Sequence, residues 1–305
     1  MAALAKILLP LLLFPSLLLA AEKGTLQRPL EVVLIPADGG TEEGTKADFQ
    51  PVFNAVARAT GLSFTLHVGQ SYNAVVEAMC NRSADIAFFG PVAYVQARAR
   101  GCAELLAVAV ENRQSMYYAG IFAMADSPIK SVADLKGRRV AFGDINSASS
   151  FTFPMAMILG AKLDPVRDLA AVRLTGSHAN SLAALVQGQV DAASLSFESF
   201  EKAVNQGVVS ARAVKVVARS VAIPNPPLGM HPALAVEMKA KLKAAFGGIA
   251  KIPGVTPDMV RGYGGKKVDG YNSHFSEDHF DTPAAMMEAI NDRLKGEILR
   301  KAASP

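Results

Sequence analysis

Residues 85–95 read Asp-Ile-Ala-Phe-Phe-Gly-Pro-Val-Ala-Tyr-Val, an apolar run of strand length that ends at a glycine and a proline. A run that is apolar on both faces is typical of a strand inside a parallel sheet, because helices cover both sides of such a sheet. Pro91 fits the first turn of a helix, where its missing N–H costs nothing. A buried strand followed at once by a helix predicts a βα unit of an α/β fold.

The same alternation continues on both sides of this stretch. Residues 30–36 and 62–68 have strand patterns, and the helical pattern between them ends at Gly61. A second α/β series begins near Tyr117, and residues 215–219 have the pattern of a strand that returns to the first series. The chain would then cross twice between two lobes, which predicts a two-segment hinge and a ligand cleft between the lobes.

These crossings set the predicted domain boundaries. Lobe I is predicted to contain residues 22–117 and 220–305, including the C-terminal helices, and lobe II residues 118–219. The 305 residues are half hydrophobic and 19% charged, which excludes a disordered chain and suffices for two cores. The net charge is +4, with no basic run or interleaved aromatic platform, so we expect no nucleic-acid partner.

The first 21 residues differ from the rest. Lys6 is their only charged residue, and residues 7–21 are almost wholly apolar, with two prolines in the run. This pattern is typical of the hydrophobic region of a secretory signal peptide and is short for a membrane span. We predict an exported, periplasmic protein that is not membrane-embedded and is a monomer; an uncleaved N-terminal anchor is the alternative.

A serine-rich loop follows the predicted strand 139–142. It contains Asn146, Ser147, Ala148, Ser149 and Ser150, and a helical pattern comes next. The first N–H groups of a helix lack intrahelical partners and lie at the positive end of its dipole, so they bind anions. With three added hydroxyls, the loop predicts an oxyanion site; the alternative is a serine that only caps the helix.

Four more side chains follow predicted strands and are candidates for the same cleft: Tyr72, Tyr94, His178 and Glu198. The tyrosine hydroxyls and the histidine N–H can donate to an oxyanion. Glu198 can bind a ligand amine or a protonated ligand oxygen. For each of the four, a structural role is the alternative.

Catalytic and metal-binding motifs are missing from the sequence. It contains no nucleophile elbow, P-loop, dinucleotide fingerprint or zinc spacing. We therefore expect no enzyme, no cofactor and no metal. A hydrolase in which His178 activates Ser147 or Ser149 is the alternative.

Cys80 and Cys102 each follow a helical pattern, and these two patterns flank the strand at residues 85–89. In an oxidising compartment the two cysteines can form a disulfide. Two alternatives remain open at this point: a thiolate site for a thiophilic species such as arsenite, or a pair of free thiols.

Five motifs in order carry a resemblance to a known family: residues 85–95, the segment 127–144 (SPIKSVADLKGRRVAFGD), the loop 145–150 (INSASS), the segment 176–193 (GSHANSLAALVQGQVDAA) and the turn 223–227 (IPNPP). Over about residues 30–245 the chain resembles the PhnD-like phosphate/phosphonate-binding periplasmic proteins, which deliver solutes to ABC importers. The resemblance implies a type II-like periplasmic-binding-protein clamshell. It also implies a non-catalytic receptor for a phosphonate, phosphite or phosphate-like oxyanion, whose partner is an ABC permease.

The resemblance also implies roles for individual residues. Ser147 and Ser149 match the two serines of a Ser-Thr-Ser run that holds the oxyanion, whereas Ala148 replaces the threonine. Tyr94 matches a tyrosine after Gly-Pro and Tyr72 one after the second strand, both of which assist the serines, and His178 lies in a Gly-Ser-His segment that is common in the family. Glu198 lies near the position of an acid that binds a ligand amine.

A sensory branch of the same family supplies the alternative function. Its members resemble arsenite receptors that signal to a membrane histidine kinase through a cysteine. Cys102 is the candidate for that cysteine.

Overall fold

The computed structural model describes residues 22–36 and 41–303. The predicted signal peptide, residues 1–21, lies outside the described residues. Helices and strands alternate along most of the chain, as the sequence predicts. The strands are β1 (Leu30–Leu34), β2 (Phe64–Val68), β3 (Ile86–Phe88), β4 (Glu104–Val110), β5 (Met116–Tyr117), β6 (Ala119–Met124), β7 (Arg139–Phe142), β8 (Ala171–Leu174), β9 (Ala192–Ser196), β10 (Val214–Arg219), β11 (Ile223–Pro224), β12 (Pro227–Met230) and β13 (Gly270–Asn272).

The helices cover the faces of the two main sheets. They are α1 (Glu42–Thr60), α2 (Tyr72–Cys80), α3 (Pro91–Ala99), α4 (Phe153–Gly160), α5 (His178–Val186), α6 (Phe197–Asn205), α7 (Val236–Gly247), α8 (Asp281–Ala289) and α9 (Asp292–Ala303). In the described part of the chain, none of these helices is both long enough and apolar enough to cross a bilayer.

Lobe I is built on a sheet in the order β13-β4-β12-β3-β1-β2. Strands β1, β2 and β3 run parallel, whereas β12, β4 and β13 are antiparallel to their neighbours. The stretch that predicts the fold forms the middle of this sheet, since β3 lies between β1 and β12 and is buried along its whole length. Pro91 starts α3 directly after it, which confirms the predicted βα unit.

Lobe II is built on a second sheet in the order β10-β6-β9-β7-β8. Strand β7 runs parallel to both β8 and β9, and β6 is antiparallel to β9 and β10. Phe142 and Phe151 lie fully buried in the core on one face of this sheet, with their ring centroids 5.7 Å apart. The two sheets with flanking helices confirm the predicted α/β, two-lobed class.

The hinge consists of two chain segments that lie side by side. Strands β5 and β11 pair antiparallel, with Tyr117 opposite Ile223 and Met116 opposite Pro224. One segment enters lobe II and the other leaves it, because β6 and β10 follow and precede them in the chain. Strand β5 ends at Tyr117 and β6 begins at Ala119, so the chain passes from the hinge into lobe II at Tyr118.

The C-terminal helix departs from the predicted boundaries, which placed residues 220–305 in lobe I. Ile290 and Ile298 are buried in the core of lobe II, and Leu294 and Ala302 pack against the same core. These side chains recur every four residues: Leu294, Ile298 and Ala302 form one apolar stripe on α9, and Ile290 continues it just before the helix begins. Helix α8 contacts both α3 of lobe I and α4 of lobe II, so the chain crosses between the lobes a third time.

Substitution of Ile298 tests this placement. Ile298→Ala should lower the free energy of unfolding by about 2–5 kcal/mol, because Ile298 is fully buried and the truncation leaves a cavity. The adjacent Leu299 is 49% exposed, so Leu299→Ala should cost less than about 0.5 kcal/mol. Urea unfolding followed by circular dichroism measures both; equal losses would contradict the packing of α9 on lobe II.

Candidate functional site

A cavity of about 580 Å³, including its open mouth, lies between the two lobes beside the hinge. Lobe I, lobe II and the hinge strands all contribute to its wall. The lining residues are Ile35, Tyr72, Gly90, Pro91, Ala109, Glu111, Tyr117, Ser147, Ala148, Ser149, His178, Ser196, Glu198, Asn225, Pro226, Gly262, Tyr263, Lys266 and Val268.

Several helices begin at this cavity. Tyr72, Pro91 and His178 are the first residues of α2, α3 and α5, and Ser196 is the N-cap of α6. Every helix N-terminus carries a partial positive charge and N–H groups without intrahelical partners. Their convergence from both lobes favours a negatively charged ligand at the centre of the cleft.

The serine-rich loop forms one turn of π-helix over Ala148–Thr152, directly before α4. Ser147 is the N-cap, and its Oγ accepts a hydrogen bond from the Ser150 N–H at 3.2 Å. The Ser149 hydroxyl is hydrogen bonded to that of Tyr117. Burial raises the pKa of Tyr117, so its hydroxyl stays protonated and can donate. Ser147, Ala148 and Ser149 line the cavity as a group.

Two other residues of this loop do not line the cavity, contrary to the sequence-based expectation. Ser150 is fully buried, and it packs so closely against Gly143 that a side chain on Gly143 would collide with it. Asn146 faces lobe I, where its Oδ1 accepts a hydrogen bond from Gln96 Nε2 at 3.0 Å. Ser150 lies within the π-turn, which directs only some of its successive side chains towards the cleft, whereas Asn146 precedes the turn and is held by Gln96.

His178 is held in one tautomer by the backbone of lobe II. Its Nδ1 accepts a hydrogen bond from the Ser196 N–H at 3.0 Å. A backbone N–H can only donate, so Nδ1 carries no proton and the ring hydrogen is on Nε2. The side chain is 97% buried, and the residue lines the cavity. His178 thereby contributes an N–H donor to a cleft that contains hydroxyl donors.

The two tyrosines expected from the first lobe have different positions. Tyr72 lines the cavity, and its ring lies against Gly90, where a β-carbon would come within 2.6 Å of the ring. Tyr94, in contrast, does not line the cavity. It is fully buried, its hydroxyl donates to Glu277 Oε2 at 3.0 Å, and its ring packs on Phe280 at 4.7 Å. Since Tyr94 lies nearly one turn into α3, it faces the core of lobe I rather than the cleft.

Glu198 adds an acidic group to the wall of the cavity. Its Oε2 is buried and has no hydrogen-bond partner among the described residues. Burial raises the pKa of Glu198 to about 7, because desolvation disfavours the charged carboxylate. The positive charge of Lys266 opposes this shift and the negative charge of Glu111 adds to it.

Several lining residues were not predicted from the sequence. Tyr117 was placed only at the start of the second α/β series, and Asn225 only in the turn 223–227. Tyr263 and Lys266 lie in the glycine-rich, charged stretch near residues 262–269, where the pattern indicated no site. The combination of two adjacent glycines, a tyrosine and two lysines was the available signal.

Contacts across the cleft hold the lobes together. The carboxylate of Asp144 in lobe II accepts the backbone N–H of Tyr72, the first residue of α2 in lobe I. Asp144 thus binds one of the N–H groups that α2 leaves without an intrahelical partner. At the mouth, Lys202 Nζ of lobe II donates to the carbonyl oxygen of Gly264 in lobe I at 2.9 Å. These contacts link the two lobes across the cleft.

Cys80 and Cys102 are joined by a disulfide in lobe I, with their Cα atoms 4.8 Å apart. A disulfide leaves no thiolate for a soft ligand, and neither cysteine lines the cavity. The arsenite alternative therefore has no support at these cysteines. Among the described residues, no group of three or more histidine, cysteine or acidic side chains could hold a metal ion.

A ligand-sized cleft between two α/β lobes joined by paired hinge strands defines the class of two-lobed solute-binding proteins. Residues 39–262 match the family model described as "ABC transporter, phosphonate, periplasmic substrate-binding protein". The chain belongs to this family, which confirms the resemblance found in the sequence.

Proteins similar to this chain support the assignment. The phosphate-import protein PhnD of Mycolicibacterium smegmatis is 28% identical over 230 residues, which are 71% of this chain and 70% of that protein. The phosphonates-binding periplasmic protein of Escherichia coli is 25% identical over 70% of this chain, and the match spans 64% of that protein's length. The structure of PhnD1 from Prochlorococcus marinus in complex with methylphosphonate has the same fold, with a TM-score of 0.71 and 16% identity, covering 86% of this chain and 98% of the other.

Removal of Asp144 should open the cleft. Asp144→Ala deletes a charged hydrogen-bond acceptor at an inter-lobe contact, which should shift the open-to-closed ratio about tenfold towards the open form. Small-angle X-ray scattering of the ligand-free protein should then give a larger radius of gyration. Asp126→Ala, in an exposed turn of the same lobe, is the control; identical scattering from both variants would contradict the proposed contact.

Proposed function

We propose that this protein captures a small phosphorus oxyanion (a phosphonate, phosphite or phosphate) in the cleft and delivers it to the permease of an ABC importer. The observation that carries the proposal is the convergence of hydroxyl groups and helix N-termini from both lobes on one small cavity. Such a cavity can neutralise an anion with partial charges and hydrogen bonds alone.

Each group has a defined role in this proposal. Ser147 and Ser149 donate their hydroxyls to the oxyanion, and the Tyr117 hydroxyl supports Ser149 from the hinge. His178 donates from Nε2, since its Nδ1 is occupied by the Ser196 N–H. Tyr72 closes the wall on the side of lobe I. Donors from both lobes are needed at once, so ligand binding favours the closed state.

The relatives support the same class of ligand. One is named for phosphate import and another for binding phosphonates. A similar fold holds methylphosphonate in a solved structure. All three ligands are tetrahedral phosphorus oxyanions, which is the chemistry that the serine turn and the helix N-termini suit.

The contacts of the serines and the histidine favour binding over catalysis. Ser149 is hydrogen bonded to Tyr117, and the Nδ1 atom of His178 accepts from a backbone amide. Neither contact forms the hydrogen-bonded nucleophile–base–acid chain that activates a serine. We therefore propose a non-catalytic receptor. We also propose that it is exported through the signal peptide at residues 1–21 and acts as a monomer.

A binding panel tests the proposal. Isothermal titration calorimetry with methylphosphonate, phosphite, phosphate, arsenate and arsenite should show binding of at least one phosphorus oxyanion. Thiol alkylation should leave the result unchanged, because the disulfide leaves neither cysteine reactive. Binding of arsenite alone, lost on alkylation after reduction, would favour the sensory alternative over the importer.

Substitution of Ser149 tests the serine turn. Ser149→Ala should weaken methylphosphonate binding about 10- to 100-fold, because it removes one hydroxyl donor to a charged ligand. Ser150→Ala is the matched control: Ser150 lies one residue further along the same turn but faces away from the cavity, and its hydroxyl has no partner among the described residues. Equal affinity of both variants in calorimetry would contradict the role of Ser149.

The pH dependence of binding should report the protonation of Glu198. Below about pH 7 the acid is neutral and can donate to the ligand; above it the carboxylate repels an anion. Affinity should therefore fall with rising pH, by up to about tenfold for each unit above 7. Glu198→Gln mimics the neutral acid and should remove this fall. The ligand's own titration affects both proteins alike, so the ratio of the two affinities isolates Glu198; a constant ratio from about pH 6 to about pH 8 would contradict this role.

A further inference from the structure

We propose that Lys266 occupies the acidic end of the cleft and thereby selects phosphorus oxyanions that carry no amine. This inference rests on the proposed function and narrows its substrate class. It concerns the part of the cavity wall that holds Glu111, Glu198 and Lys266, which are ionisable, whereas the serine turn carries no ionisable side chain.

The lining residues include two carboxyl groups from different lobes. Glu111 follows β4 in lobe I, and Glu198 lies in the first turn of α6 in lobe II. They are close enough for the charge of Glu111 to raise the pKa of Glu198. Two neighbouring carboxyl groups in a cavity would attract a cation, such as the ammonium group of an aminoalkylphosphonate.

The protein supplies that cation itself. Lys266 Nζ lies 2.5 Å from Glu111 Oε1, and the charge of Lys266 also acts on Glu198 by lowering its pKa. Lys266 lines the same cavity as both acids. Its ammonium group therefore already balances the charge of the carboxyl groups that would otherwise attract a ligand amine.

The backbone around Lys266 fixes its position. The Gly262 N–H donates to the Lys266 carbonyl oxygen at 2.7 Å and closes a tight loop. Gly264 and Gly265 both have φ near +70°, a conformation that glycine adopts without strain. Arg261 Nη1 donates to the carbonyl oxygen of Gly265, and Lys202 of lobe II donates to that of Gly264. Lys266 is thus presented by a loop tied to both lobes.

A ligand amine would have to share the two carboxyl groups with Lys266. Like charges placed side by side at a binding site disfavour the complex strongly. A ligand whose substituent is hydrogen, hydroxyl or alkyl meets no such repulsion. The geometry thus favours phosphate, phosphite and simple alkylphosphonates over aminoalkylphosphonates.

The test compares two ligands of the same shape. 2-Aminoethylphosphonate ends in an ammonium group, and propylphosphonate has a methyl group in the same position. Calorimetry on the full chain should give a wild-type Kd for the amine at least about tenfold above that for the alkyl compound. Lys266→Met should lower this ratio at least about tenfold, since the two acids then accept the ligand amine. Lys266→Gln is a second variant, and circular dichroism checks the fold of each.

Lys267→Met is the matched control. Lys267 is adjacent in sequence but pairs with Asp258 at 2.6 Å and does not line the cavity, so its substitution should leave the ratio unchanged. An equal Kd for the two ligands in the wild type, or equal ratios in the Lys266 and Lys267 variants, would overturn the role of Lys266. Methylphosphonate separates the two proposals. If it binds the wild type, such a result overturns only the proposed selectivity. If no phosphorus oxyanion binds, the proposed function is overturned as well.

Discussion

The architecture depends on the unpaired N–H groups at the starts of helices. Each βα unit ends its strand and begins its helix at the same edge of the sheet, and the two lobes turn these edges towards each other. The N–H groups left over at these starts must find partners from elsewhere. Asp144 meets this need for α2, and Ser147 meets it for the serine turn. The other helix N-termini give the cleft a positive potential. The need of these N–H groups for partners therefore both draws the lobes together and makes the site suitable for an anion.

The fold could be predicted from the sequence because its strongest signals are local. The buried run before Pro91 specifies β3, and the alternation of strand and helix patterns specifies the two α/β lobes. The return of α9 to lobe II was not predicted, although the apolar stripe of Leu294 and Ile298, continued by Ile290 just before the helix, is visible in the sequence. A stripe shows that one face of a helix is buried but does not show against which lobe it packs.

The candidate site was predicted less completely. The serine turn and His178 could be located because they directly follow strands at the cleft edge. Tyr94 was placed in the wall by its position after Pro91, yet its hydroxyl pairs with Glu277, about 180 residues away in the chain, and this contact draws it into the core. Lys266 and Tyr263 come from a loop far along the chain, and long-range contacts of that loop, such as those with Glu111 after β4 and with Lys202 of α6, bring them to the cavity. Contacts between distant segments of this kind leave little trace in local patterns.

The third crossing has a consequence for how the molecule's movement can be observed. Lys23, near the start of the described chain, is anchored to Asp85 in lobe I by an ion pair, whereas α9 near the other end packs on lobe II. The two ends of the described chain therefore belong to opposite lobes. With a donor and an acceptor dye attached at these ends, the efficiency of energy transfer would report the distance between the lobes. It would follow each opening and closing of a single molecule without any alteration of the cleft.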